Sequence, residues 1–225
     1  MAMSDPIDPR WPKILSLSVH EFRTPMTVVA GYIRMLLKDR AGALNDQQRR
    51  LLEEAEKSCG RLTALLSEVS ELSGLEAGTA TFNRQSTDLN AVLRTALEQL
   101  PPLPDREVSV ALTPVDGDAP ITADPVKLAQ AVGAVVVALR RELVTSDRLS
   151  VEGRRTRGNG ADAYEVLVGD AAAGAGATFD EWRGGVGLSL INARRILNAH
   201  GGAIFAPPDG SKASARIVLP IGTAK

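Results

Sequence analysis

Ser18-Val19-His20-Glu21-Phe22-Arg23-Thr24-Pro25 lies inside a long helical pattern, and its reading decides the rest of the chain. Upstream of Pro25, Leu15, Val19 and Phe22 are spaced four and three apart. Downstream, Met26, Val29, Ile33 and Leu36 continue the alternation, the seam of a helix that packs on other helices. His20 falls off that seam. At about 100° per residue it points well away from Phe22, so the imidazole is expected on a solvent-facing flank. Glu21 sets a carboxylate beside it, and Pro25 removes the N–H that would bond back to the Glu21 carbonyl, inviting a kink. A single surface histidine is usually no more than a solvated side chain. An exposed imidazole with an adjacent carboxylate on a distorted helix also reads as a nucleophile.

The chain has 225 residues, enough for one large domain or two small ones, and a net charge of −1 from 26 basic and 27 acidic residues. No block of Lys or Arg accumulates, which argues against a nucleic-acid partner. Cys59, the single cysteine, sits in a helical pattern as a small apolar packing residue, consistent with a reducing compartment. The longest apolar run, Ala131 to Leu139, is far short of the roughly 20 residues that span a bilayer, and no basic-then-apolar leader opens the chain. The expectation is a cytoplasmic protein with no membrane contact. No sensor domain fits ahead of Trp11, so input should come from another chain unless this is a fragment.

Residues 1–11, with Pro6 and Pro9, read as a leader. Residues 12–76 read as a helical hairpin: one helix to about Arg40, a short connection, then a helix capped by Asn45 or Asp46. The second helix carries two overlapping stripes. One is Leu52, Ala55, Cys59, Leu62, Leu66 and Val69; the other is Leu51, Ser58, Leu62, Leu65, Val69 and Leu72. A lone hairpin buries one stripe per helix, whereas two hairpins packed as a four-helix bundle bury both. The pattern therefore predicts a homodimer, unless the second stripe packs on the rest of the same chain.

Residues 77–86 break into Gly, Ala, Thr and Asn and read as a linker. Residues 87–225 mix helices and strands. Asp88 caps a helix to Leu100, Val108, Val110 and Leu112 alternate as a strand, and Asp124-Pro125 opens a helix to about Leu143. A strand begins at Leu149, Arg154 to Gly160 reads as a hairpin turn, and Tyr164, Val166 and Val168 return. Gly187 to His200 is helical, and strands follow near Ala203–Phe205 and Ala215–Leu219. The fold class is α+β: a helical hairpin forming a dimeric four-helix bundle, then a two-layer sandwich with helices on one face of a sheet.

His20-Glu21-Phe22-Arg23-Thr24-Pro25-Met26-Thr27 resembles the H-box of sensor histidine kinases, in which the histidine is phosphorylated on a ring nitrogen and passes the group to an Asp of a response regulator. The resemblance implies that His20 is the nucleophile, that Glu21 fixes its tautomer, and that Thr24 orients the water that dephosphorylates the regulator. For Thr24, an ordinary hydroxyl bonded to a preceding carbonyl is the competing reading. Residues 87–225 resemble the ATP-binding domain of the same kinases. Asp124 to Val132 is similar to the start of the N-box, and Val168-Gly169-Asp170 stands where the adenine-reading Asp belongs. Gly185-Val186-Gly187-Leu188-Ser189-Leu190 is similar to the second glycine box, and His200-Gly201-Gly202 to the turn after its helix. The implied nucleotide contacts are Asp170, Gly174, Gly185, Gly187 and Arg141.

Two departures bear on ATP. The two Asn positions of the N-box, the second of which holds Mg²⁺ in the family, are Ala134 and Ala138, and the first glycine of the D-x-G-x-G box is Ala172. An alanine methyl offers Mg²⁺ no oxygen. The lid, Ala175 to Gly184, has Phe179 and Trp182 as its large apolar residues. Either other oxygens and waters hold the metal, or ATP binds poorly or not at all; the second reading is favoured. Three functions follow: a dimeric phosphorelay protein using His20, an active autokinase using ATP and Mg²⁺, and a regulator-binding scaffold without chemistry.

Overall fold

The computed structural model describes residues 10–103, 106–142, 147–158, 161–170, 187–205 and 213–221. The chain divides into two compact units, Met1–Ala80 and Thr81–Lys225.

The first unit is a hairpin of α1 (Trp11–Leu37) and α2 (Asp46–Glu76). Pro12 stands in the first turn of α1, where an N–H would have no helical partner, and the helix continues through Pro25. It stops short of Arg40 because Asp39 turns left-handed at φ 55°. The Asp39 carboxylate then accepts the Leu44 N–H at 3.3 Å and pairs with Arg49 at 2.8 Å. Asn45 caps α2 reciprocally: its side chain accepts the Gln48 N–H at 2.8 Å, and the Gln48 side chain accepts the Asn45 N–H at 3.0 Å. At the other end of the hairpin the Ser73 hydroxyl donates to the Pro12 carbonyl at 2.6 Å.

Val19, Ile33 and Cys59 are buried between the helices, flanked by half-buried Leu15, Met26, Leu52, Ala55, Leu66 and Val69. Two residues assigned to the α1 seam and one assigned to the α2 stripes lie elsewhere. Phe22, Val29 and Leu62 are exposed, and Ala30 is the half-buried residue near the Val29 position. A helix of 3.6 residues per turn drifts away from a strict 3.5-residue repeat, so one partner helix covers only a narrow strip. What remains uncovered on α1 includes Ile14, Leu17, Val28, Tyr32 and Met35, with Leu51 and Leu65 on α2.

The second unit runs β1 (Gln85–Asp88), α3 (Leu89–Glu98), β2 (Ser109–Thr113), β3 (Pro120–Ala123), α4 (Pro125–Glu142), β4 (Arg148–Gly158), β5 (Ala161–Asp170), α5 (Ser189–Ala199), β6 (Ala203–Phe205) and β7 (Ala213–Pro220). Five strands form one sheet in the order β2-β4-β5-β7-β6, with β2 parallel to β4 and the other pairs antiparallel. Alternate residues Leu149, Val151, Tyr164, Val166, Val168, Ala215, Ile217 and Leu219 are all buried on one face. Leu89 and Leu93 of α3, Leu128, Val132, Val135 and Val136 of α4, and Leu190, Ile196 and Leu197 of α5 are buried with them. The result is two layers.

Three segments differ from the sequence expectation. β1 occupies the end of the supposed linker and pairs with β3, which was not foreseen; Gln-Ser-Thr-Asp has no apolar alternation to announce a strand. Arg154 to Gly158 belongs to β4 rather than to a turn, because its side chains pair across the hairpin: Arg154 with Glu165, and Arg157 with Asp162 at 3.1 Å. The last helix starts at Ser189, not Gly187, whose φ of 62° is incompatible with helix.

Candidate functional site

The N-terminal candidate site is one turn of α1. The His20 and Glu21 side chains are 77% and 72% exposed, and His20 Nδ1 stands 3.5 Å from Glu21 Oε1. That distance is the outer limit of a hydrogen bond, so the carboxylate faces the ring without gripping it. An Nδ1–H directed at Glu21 leaves the Nε2 lone pair facing solvent.

Thr24 is exposed one turn further on, on the same face as His20. Nearby hydroxyls are tied to carbonyls one turn back: Ser18 to Ile14 at 2.9 Å, and Thr27 to Arg23 at 2.8 Å. The Thr24 hydroxyl has no such partner among the described residues. Phe22, 61% exposed, lies on the far side of the helix from His20.

In the second unit the candidate nucleotide residues come from three places. Ala134 and Ala138 are on α4, half-buried and 2% exposed respectively, with methyl groups at the positions where the family resemblance implies oxygen ligands. Arg141 is exposed on the last turn of the same helix. Gly187 forms the turn ahead of α5, and Asp170 ends β5. The Asp170 side chain, Gly174, Gly185 and the lid residues Phe179 and Trp182 lie outside the described residues. The donor set on α4 does not fit Mg²⁺, which requires hard oxygen ligands in near-octahedral array.

His200 has a role the sequence did not reveal. As the C-cap of α5 it donates from Nδ1 to the Ile196 carbonyl at 2.8 Å and accepts the Asp124 N–H at Nε2 at 3.0 Å. Phe82 meets its ring edge-on at 5.1 Å. Asp124 in turn accepts N–H groups from Val126, Lys127 and Asn83 at 3.1, 3.0 and 2.9 Å. Burial pushes the Asp124 carboxyl up, but the N–H groups of Lys127, Asn83 and Val126 and the nearby His200 outweigh it and hold the carboxyl below its ordinary value. Arg84 donates to the Ala199 carbonyl at 2.6 Å. Residues 82–84 are thereby fastened to the start of α4 and the end of α5.

Residues 14–78 match the His Kinase A (phospho-acceptor) domain, HisKA. Over 224 residues the chain is 26% identical to the sensor protein GacS of Pseudomonas syringae pv. syringae, covering 89% of this chain and 24% of that protein. It is 29% identical over 206 residues to the sensor protein VanSC of Enterococcus gallinarum, covering 83% of this chain and 54% of that protein. The chain thus spans about a quarter of one relative and about half of the other. The structure of full-length ShkA in complex with AMPPNP superposes with a TM-score of 0.71 at 23% identity, covering 95% of this chain and 46% of that one. The Acinetobacter baumannii histidine kinase AdeS gives 0.57 at 19% identity, covering 91% and 98%. No helix among the described residues is long and apolar enough to cross a membrane.

Proposed function

Because the chain is a member of the sensor histidine kinase family, with a phosphoacceptor hairpin and an ATPase-like domain, we propose that His20 carries a phosphoryl group to or from an aspartate of a response-regulator receiver domain. The observation that carries this reading is the exposed imidazole whose Nδ1 side faces Glu21 and whose Nε2 is open to water. In the loading direction the Nε2 lone pair attacks the phosphorus of an aspartyl phosphate. An N–P bond forms, the P–O bond to the aspartate breaks, and the carboxylate leaves with its electron pair. Glu21 keeps the proton on Nδ1 and stabilises the positive charge that develops on the ring. Thr24, whose hydroxyl has no partner among the described residues, would orient the water that dephosphorylates the regulator.

The uncovered stripe of Ile14, Leu17, Val28, Tyr32 and Met35 with Leu51 and Leu65 supports a homodimer through the hairpin. No ATP step is assigned, because the α4 positions that would hold Mg²⁺ are methyl groups. The second reading is an autokinase that loads His20 from ATP, favoured by the fold shared with ShkA, which was solved with AMPPNP.

The test treats the full chain with potassium phosphoramidate, a chemical phosphoryl donor, then offers the product to a panel of receiver domains. The reading expects an acid-labile phosphohistidine at His20 that is discharged by at least one receiver. Failure to discharge to any receiver rejects the relay. Labelling of His20 from ATP and Mg²⁺ at a comparable rate replaces it with the autokinase.

A further inference from the structure

We propose that the face of the sheet turned away from the helices carries a second binding site, an arginine-walled cavity for a small organic anion: a carboxylate or phosphate on a planar apolar body. The cavity measures about 350 Å³, the lower end of the range for small-molecule sites. Its floor uses small residues on neighbouring strands, Ala163 of β5, Val218 of β7 and Ala203 of β6, and its rim includes the taller Arg216 and Phe205. At its base the Glu165 carboxylate, 4% exposed, lies between two guanidinium groups. Arg154 donates to one of its oxygens, and Arg216 is ion-paired with the other at 3.3 Å.

A solvent-facing sheet surface has no packing reason to bury a carboxylate, and a buried ion pair is a poor source of stability. It does hold two planar forks, Arg216 in the cavity wall and Arg154 outside the lining, while Arg157, paired with Asp162, completes the wall. Each guanidinium carries five N–H donors and the carboxylate engages few of them, so the triad leaves a net positive charge and spare donors. Arg216 also lies over the Phe205 ring at 5.0 Å, and Phe205 is itself 44% exposed. Anion donors beside a half-exposed aromatic ring select a ligand with a charged head and a flat body. The groove approaches backbone closely at Gly202, where an added Cβ would stand 2.6 Å from the Val218 carbonyl.

The cavity is separate from the nucleotide region. Asp170 is five residues beyond Glu165 on β5, about 17 Å along a strand at ~3.3 Å per residue, and the helices cover the other face.

The probes are phenyl phosphate, benzoate, inorganic phosphate and the neutral benzyl alcohol, titrated calorimetrically into the full chain. Either aromatic anion should bind while benzyl alcohol gives no heat; the tighter of the two tells whether the natural ligand is a phosphate ester or a carboxylic acid. Arg216→Gln should weaken the aromatic anions about tenfold or more, the worth of one charge-assisted contact. Phe205→Ala, at an exposed position, should erase the advantage of phenyl phosphate over inorganic phosphate. Ala203→Leu should fill the cavity and abolish binding while leaving phosphoramidate labelling of His20 unchanged. No binding of either aromatic anion at millimolar concentration overturns the proposal, as does binding that survives both Arg216→Gln and Ala203→Leu in folded protein.

Discussion

The two histidines of this chain share a ring and almost nothing else. His20 stands on the open flank of α1 with one loose contact to Glu21 and its far nitrogen in water. His200 closes α5 with both nitrogens committed, one to the Ile196 carbonyl and one to the Asp124 N–H, and with Phe82 against its edge. Reactivity toward phosphorus requires an uncommitted lone pair and room for the incoming group. Only the first environment offers either; the second uses the same chemistry to fasten residues 82–84 to two helices.

The largest effect that would break this contrast is in labelling. With phosphoramidate the chain should take up phosphate at His20 and not at His200, and His20→Gln should fall to background, at least ~10²-fold below the wild type. Peptide mapping under alkaline conditions reads the site directly. A phosphoryl group found on His200 would refute the assignment of its two nitrogens as occupied.

Next in size is Glu21. Replacing it with Gln keeps the shape but removes the charge that stabilises the imidazolium. Transfer from a phosphorylated receiver to His20 should slow by about 10²–10⁴-fold, the usual worth of such proton assistance. Stopped-time assays on the chain that carries only this change measure it. A rate within threefold of wild type would mean that the 3.5 Å contact never tightens during transfer.

These two surroundings were not equally legible in the sequence. Around His20 the information is local: four-three spacing fixes the helix, and a residue off the seam is exposed whatever the partner helix does. The exposure of Phe22 and Val29 was missed because helical drift over several turns depends on how many helices pack, which spacing alone does not state. Around His200 the information is non-local. Asp124 could be read as a helix cap from Asp-Pro, but its contacts to Asn83 and His200 join residues far apart in sequence. β1 carries no apolar alternation and β3 only two alternate apolar residues, Ile121 and Ala123, too short a run to announce a strand, and Arg154 to Gly158 reads as a turn until Glu165 and Asp162 stand opposite. At positions 134 and 138, by contrast, the lack of an oxygen ligand is legible from the sequence: a methyl group has no lone pair in any fold.

A smaller effect sharpens the contrast from the His200 side. Asp124→Ala removes the acceptor of three N–H groups, two of them at the start of α4 and one from the segment leading into β1. Capping losses of this kind cost about 2 kcal/mol at the upper end of their range. Chemical denaturation of the second unit should show a midpoint shift of that size, with His20 labelling unchanged. An unchanged midpoint would show that the fastening of residues 82–84 carries no stability.

The smallest expected effect is the pH dependence of that same group. The Asp124 carboxyl is held below its ordinary value in the folded chain, so its contribution is complete above the ordinary carboxylate range, where both states are ionised. As pH falls below about 4 the unfolded chain takes up a proton before the folded one does, and stability declines until the folded group is protonated too. The denaturation midpoint of the wild type should therefore fall between pH 5 and pH 3 more steeply than that of Asp124→Asn, which keeps an oxygen acceptor but cannot titrate. Equal slopes in the two proteins would assign the acid loss to other carboxylates and leave Asp124 as a neutral-pH cap alone.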